Sequence, residues 1–240
     1  MSETPENAEF VGYVFRDPSL LQRALTHSSY AAENPECISN ERLEFLGDAV
    51  LGLVLADHLY RRLDAVPESK LTQLRSHFVS EDGLSEPANR AGLQDSLLLG
   101  AGATKEMARG MWSSSPNAAA LEAVFGAVYL DAGGPGAGLE AVQALARRIW
   151  HEDWEDVDHW VERDLRDPTT RFVQDYEKKF GNKPRFHYEQ VEVKGPRRPW
   201  RATIEHSDEA WGTGIGPNRK KAAREACRQA LQHLLQLGSE

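Results

Sequence analysis

Glu41, Glu44 and Asp48 place three carboxylates within eight residues, in a stretch (40–50) that otherwise has the spacing of a buried helix. At about 100° per residue the three acids fall within about 60° of one another on a helix. Leu43, Leu46, Val50 and Leu53 fall on the opposite side, which predicts one face that packs and one that presents negative charge. Like charges at this spacing repel by a few tenths of a kcal/mol per pair. Two readings accommodate that repulsion: a solvated acidic face, or a hard divalent cation held by oxygen ligands. The direct apolar neighbours, and Gly47 as a residue that lets another segment approach closely, favour the second.

The remaining chemistry-bearing residues are basic and lie towards the C-terminal end. Arg219, Lys220 and Lys221 open a long helical pattern, and the loop 194–201 is rich in Lys and Arg. Residues 1–166 hold 14 Lys+Arg against 27 Asp+Glu, whereas residues 167–240 hold 14 against 10, so the net charge of −9 conceals a change of sign. That asymmetry suggests two modules with different partners, the basic one a candidate nucleic-acid contact. A content of 27% charged and 40% hydrophobic residues is ordinary for a soluble globular protein. The acidic start, Met1 to Phe10, lacks the pattern of a signal peptide, and the most apolar stretch, 118–130, is short for a bilayer and carries Glu122. Cys37 and Cys227 share no metal-ligand spacing and read as free thiols. A cytoplasmic location without a membrane is therefore expected.

Elements that could position these residues follow from periodicity. Residues 20–30, 40–63, 71–79, 84–91 and 118–131 read as helices, with a further helix over 138–148. Ser39 or Asn40 is a candidate N-cap for the second, and Gly133-Gly134-Pro135 ends the fifth. The acidic, Trp-rich stretch 151–166 reads as a linker or frayed helix end. From residue 167 the pattern changes: a helix over 170–180, strands over 185–193, 200–206 and 210–214, and a closing helix over 218–237. The expected organisation is an all-α domain over 1–150, a linker over 151–166, and a small two-layer α+β domain of order α-β-β-β-α over 167–240.

These modules, in this order, resemble bacterial ribonuclease III, an all-α endonuclease domain followed by a double-stranded-RNA-binding domain. The run Glu41 to Val50 (ERLEFLGDAV) matches that family's most specific motif almost letter for letter. Thr26-His27-Ser28-Ser29-Tyr30 upstream and the run Glu122 to Asp131 (EAVFGAVYLD) downstream match at the expected places. In the C-terminal part Gly195-Pro196, Gly212-Thr213-Gly214-Ile215-Gly216 and Arg219-Lys220-Lys221-Ala222 resemble the binding domain's loops and basic helix start.

The resemblance implies hydrolysis of phosphodiester bonds in double-stranded RNA by a two-metal mechanism with Mg2+ or Mn2+. It also implies 5′-phosphate products with short 3′ overhangs, a role in rRNA and mRNA processing, and a homodimer. Carried over by position, Glu44, Asp48 and Glu122 are metal ligands, and Glu41 and Glu68 are accessory acids. Two cations about 3.5–4 Å apart activate water and stabilise an in-line phosphoryl centre. Phe45 resembles the aromatic that family members insert into the partner subunit. Gln174 and the loop with Arg197 and Arg198 resemble minor-groove contacts, and Arg219, Lys220 and Lys221 phosphate contacts. His27, His58 and His77 are assigned no catalytic role, and Trp150, Trp154 and Trp160 are expected to close the helical domain.

One position departs from the family. A helical turn before Glu122, where the family carries an aspartate, this chain has Ala119. A methyl group cannot ligate a cation. Either this is a variant lineage in which another group or water fills the position, or the chain carries a deliberate inactivating substitution. The retained acids favour an engineered or reduced-activity form of an otherwise competent enzyme. The alternative function is accordingly a catalytically impaired double-stranded-RNA-binding protein.

Overall fold

The computed structural model describes residues 8–108, 115–163, 165–192, 198–207 and 209–236. The chain divides into two compact units, residues 1–163 and 164–240.

The first unit opens with a two-residue hairpin, β1 (Glu9–Phe10) and β2 (Tyr13–Val14), and is otherwise helical. Its helices are α1 (Pro18–Ala24), α2 (Ser28–Glu33), α3 (Glu41–Arg62), α4 (Glu68–Phe78), α5 (Glu81–Arg90) and α6 (Leu93–Ser96). They continue with α7 (Ala101–Ala108), α8 (Ser115–Asp131), α9 (Ala137–Trp150), α10 (Glu152–Glu155) and α11 (Asp158–Val161). α8 is the central element: Ala120, Leu121, Ala123, Val124, Phe125, Ala127 and Val128 are all fully buried. A helix apolar on every side belongs inside a core, and α3, α5, α9 and α1 surround it. The helix expected over 20–30 is broken at Leu25–His27, because Thr26 pairs with Leu98 there. His27 N–H donates to the Leu98 carbonyl and Leu98 N–H to that of Leu25. His27 then restarts the helix, its Nδ1 accepting from the Ser29 amide at 3.2 Å.

The stretch 151–166, read from the sequence as a linker or frayed helix end, carries two short helices. Up to residue 163 it belongs to the first unit, as α10 and α11. Trp150 and Trp154 are buried in the core, and Trp160 packs against it beside His77 and Phe78. The tryptophans do close the helical unit. His58 stacks on Trp154 at 4.0 Å between centroids and bonds to its carbonyl at 2.9 Å.

The second unit comprises α12 (Pro168–Phe180), β3 (Arg185–Gln190), β4 (Trp200–His206), β5 (Glu209–Gly216) and α13 (Arg219–Gln236). The sheet is antiparallel in the order β3-β4-β5. Its core joins Phe172 and Tyr176 of α12 and Ala202, Ile204 and Trp211 of the sheet to the Ala222–Ala226–Ala230 stripe of α13. Gly212, Gly214 and Gly216 lie in β5 and share the face that packs on α13. A methyl on any of them would meet the α13 backbone, for instance Ala226 O at 2.1 Å from Gly212. Cys37 and Cys227 are free, and burial pushes the Cys227 thiol up to about 12.

Candidate functional site

Glu44 and Asp48 of α3 and Glu122 of α8 lie within electrostatic reach of one another, where the two helices cross. A Cβ placed on Gly47 would stand 1.7 Å from the Glu122 carbonyl oxygen, and one on Gly126 would stand 2.3 Å from that of Leu43. Two glycines, one per helix, thus let the backbones touch at the level from which Glu44, Asp48 and Glu122 project. Asp48 and Glu41 are exposed, while Glu44 and Glu122 are half-buried. The acids flank the buried stripe of α3 and do not oppose it. Leu43 and Val50 are buried as expected, but Leu53 is 55% exposed, and Gly47, Leu51, Val54 and Leu55 complete the packed face. α3 is apolar on more than one side, so periodicity alone misplaced the contact by roughly a quarter turn.

The charges register one another. Burial, then the charges of Asp48 and Glu44, push the Glu122 carboxyl up to about 8. Burial, then Glu41 and Asp48, push Glu44 above the usual carboxylate range. Both directions are those expected of acids crowded in a partly dry site without a counter-charge. Their donors are all hard oxygens, which suit Mg2+ or Mn2+ and would not suit a soft ion. As the side chains stand, no group of three or more His, Cys, Asp or Glu among the described residues is close enough to hold a metal ion. Ala119 is half-buried on α8, one turn before Glu122, where a fourth carboxylate would add to the set. Near it, Asn117 is 3% exposed and donates to Asn89 Oδ1 at 2.7 Å, while its own Oδ1 has no protein partner among the described residues.

The other site residues of this unit, Glu41, Phe45 and Glu68, are all exposed. Glu68 is exposed in the first turn of α4, accepting from Thr72 Oγ1 at 2.7 Å. Glu41 accepts from Ser39 Oγ at 2.8 Å, and the N-cap residue Asn40 uses its side chain to reach the Ala24 carbonyl instead of capping α3. Phe45 is 81% exposed on α3, and on the same helix Leu53 and Tyr60 are 55% and 74% exposed. Sequence reading singled out Phe45 alone.

In the second unit Gln174 is exposed on α12, its side-chain oxygen accepting from Arg166 at 2.8 Å. Arg198 is exposed ahead of β4, and Arg197 lies outside the described residues. Arg219 and Lys220 are exposed at the start of α13, with Lys221 half-buried. Asn218 caps this helix, accepting from the Lys221 amide at 2.9 Å. The backbone amides and the basic side chains of this first turn both favour a phosphate.

Comparison with known proteins agrees with both units. Residues 17–149 match the family described as Ribonuclease-III-like, and residues 170–234 match the double-stranded RNA binding motif. Ribonuclease 3 of Symbiobacterium thermophilum is 39% identical over 224 residues, covering 93% of this chain and 91% of that protein. Ribonuclease 3 of Carboxydothermus hydrogenoformans is 37% identical over 230 residues, covering 94% and 93%. Among solved structures, the nuclease domain of ribonuclease III from Campylobacter jejuni superposes with a TM-score of 0.52 at 35% identity. It covers 60% of this chain and 94% of that one, and is described as showing structural flexibility in a region involved in dimer formation. No helix among the described residues is long and apolar enough to cross a membrane. An α3–α8 crossing that gathers acids, a basic α-β-β-β-α unit and relatives matched over more than nine-tenths of their length place this chain in the ribonuclease III family.

Proposed function

We propose that this chain is an endoribonuclease that hydrolyses double-stranded RNA, and the observation that carries this reading is the convergence of Glu44, Asp48 and Glu122 at the α3–α8 crossing. Phosphodiester hydrolysis must activate water and stabilise charge on an in-line phosphoryl centre. Divalent cations, Mg2+ or Mn2+, would supply Lewis acidity for both. Glu44, Asp48 and Glu122 would hold them, and Glu122 gives up its proton to do so. Glu41 adds negative charge beside Glu44, and Glu68 is a further accessory acid. The basic start of α13, with Gln174, Arg197 and Arg198, grips phosphates and the minor groove of A-form RNA. Phe45, Leu53 and Tyr60 form an apolar stripe suited to a second copy, as expected of a homodimer in which each subunit cuts one strand. The products are 5′-phosphates with short 3′ overhangs, and the setting is cytoplasmic rRNA and mRNA processing.

Ala119 favours a second reading, a duplex-RNA-binding protein whose nuclease site lacks one carboxylate. A gel shift and a cleavage assay on the same RNA duplex, with magnesium and then calcium, separate the two. Binding in both and cutting with magnesium support the enzyme; binding in both and cutting in neither supports the impaired protein.

A further inference from the structure

We infer that Trp200 is a positioning residue for duplex RNA, acting through Arg219. The inference rests on the reading of the second unit as an RNA-binding domain. Trp200 opens β4, where it pairs with Gln190 of β3 and Gly216 of β5. Tyr188 lies two residues back along β3 on the same face, so the two rings are diagonal neighbours. Gly216, opposite Trp200, has no side chain to occupy the space between the indole and α13. The Arg219 guanidinium lies over both rings, its Cζ 4.2 Å from the Trp200 centroid and 5.6 Å from that of Tyr188.

This arrangement settles what the arginine can do. Its backbone is fixed by the Asn218 cap at one end and by the packing of Gly216 on Lys221 and Ala222 beneath. The aromatic rings occupy one side of the guanidinium, which leaves its N–H donors on the other sides for hydrogen bonds to an oxyanion. Arg219 is exposed and forms no ion pair among the described residues. A long side chain that is already ordered loses less freedom on binding than one that must be immobilised by the ligand. Lys220, beside it, is exposed and has no aromatic support among the described residues, so the two cations differ in kind: one is a fixed fork, the other a mobile point charge.

A double-mutant cycle tests this in the full-length chain, with dissociation constants for an RNA duplex measured in calcium across a range of salt concentrations. Trp200→Leu is expected to weaken binding about threefold to tenfold and to reduce the salt slope by about one phosphate contact, as Arg219→Gln does. The double variant should bind no more weakly than Arg219→Gln alone. Trp200→Phe keeps a packed ring with a weaker cation–π surface. On its own it should bind about twofold less tightly, and in the Arg219→Gln background it should cause no further loss. This second variant preserves the test if Trp200→Leu unfolds. Additive losses, or full affinity in both Trp200 variants with folding verified by circular dichroism, would overturn the inference while leaving the domain an RNA binder. Failure of the unaltered chain to bind the duplex would overturn the underlying reading as well.

Discussion

Replacing Gly47 by Ala probes the geometry on which the site depends. The added methyl would stand 1.7 Å from the Glu122 carbonyl oxygen, 2.6 Å from its carbon and 2.9 Å from the Gly126 nitrogen. Contact between a carbon and such atoms requires about 3.5 Å, so α3 and α8 must part locally by well over an ångström. All three obstacles are backbone, so no side-chain rotation relieves them. A gap of about 1 Å already forfeits up to half of each dispersion contact along the interface. Overpacking costs about 1–3 kcal/mol, and an unyielding backbone puts this case at the upper end. The better helix propensity of Ala returns about 1 kcal/mol, leaving a net loss of about 2 kcal/mol. Urea denaturation monitored by circular dichroism at equilibrium reads this directly. Gly102→Ala, where a methyl would have open space, is the control and should leave stability level or raised. Because the separation also draws Glu122 away from Glu44 and Asp48, cleavage should fall even where the variant is fully folded. Equal stability for Gly47→Ala and the unaltered chain would show that the α3 and α8 backbones are not in contact at Gly47.

Two further outcomes follow from the same unit. With cations chelated, Glu122 is held protonated to about 8, against an ordinary value of 4.5. Its folded pKa is raised, so its contribution to stability is present below about 4.5 and is lost as pH rises through about 8. Glu122→Gln should therefore flatten the decline in melting temperature between about pH 5 and 8, and an unchanged pH profile would contradict the crowding of the three acids. Phe45→Asp should shift the protein from dimer to monomer in sedimentation, since an 81% exposed ring in an apolar stripe is a surface that a second copy would cover.

Much of the site is legible in the sequence because it is local. The acidic turn of α3 and the basic start of α13 each lie within a few residues, and helical spacing alone places them together. What escaped is what depends on two distant segments. Gly47 reads as a residue that allows close approach, but only the fold shows that its counterpart is Gly126. Asp131 reads as part of a motif, yet it is buried, accepting from Tyr13 Oη at 2.8 Å and from the amides of Arg16 and Asp17 at 3.0 and 2.8 Å. It fastens the N-terminal hairpin and does no visible chemistry, and two-residue strands carry no periodicity that would announce them. Likewise the glycines of β5 are spaced by two and the alanines of α13 by four. Each pattern becomes intelligible only when the strand is laid on the helix. Leu53 differs for the opposite reason: an apolar residue at a packing interval faces outward, as Phe45 and Tyr60 do, on a helix that is apolar on more than one side.

If the α3–α8 crossing is a nuclease site short of one carboxylate, restoring that carboxylate must restore catalysis. Cleavage of an RNA duplex in magnesium should rise at least about tenfold in Ala119→Asp, in keeping with the usual worth of a group that supports a metal site. Adding Glu122→Gln to that variant should abolish the gain. No increase in Ala119→Asp, with folding and duplex binding unchanged, would show that the crossing is not a metal-dependent nuclease site.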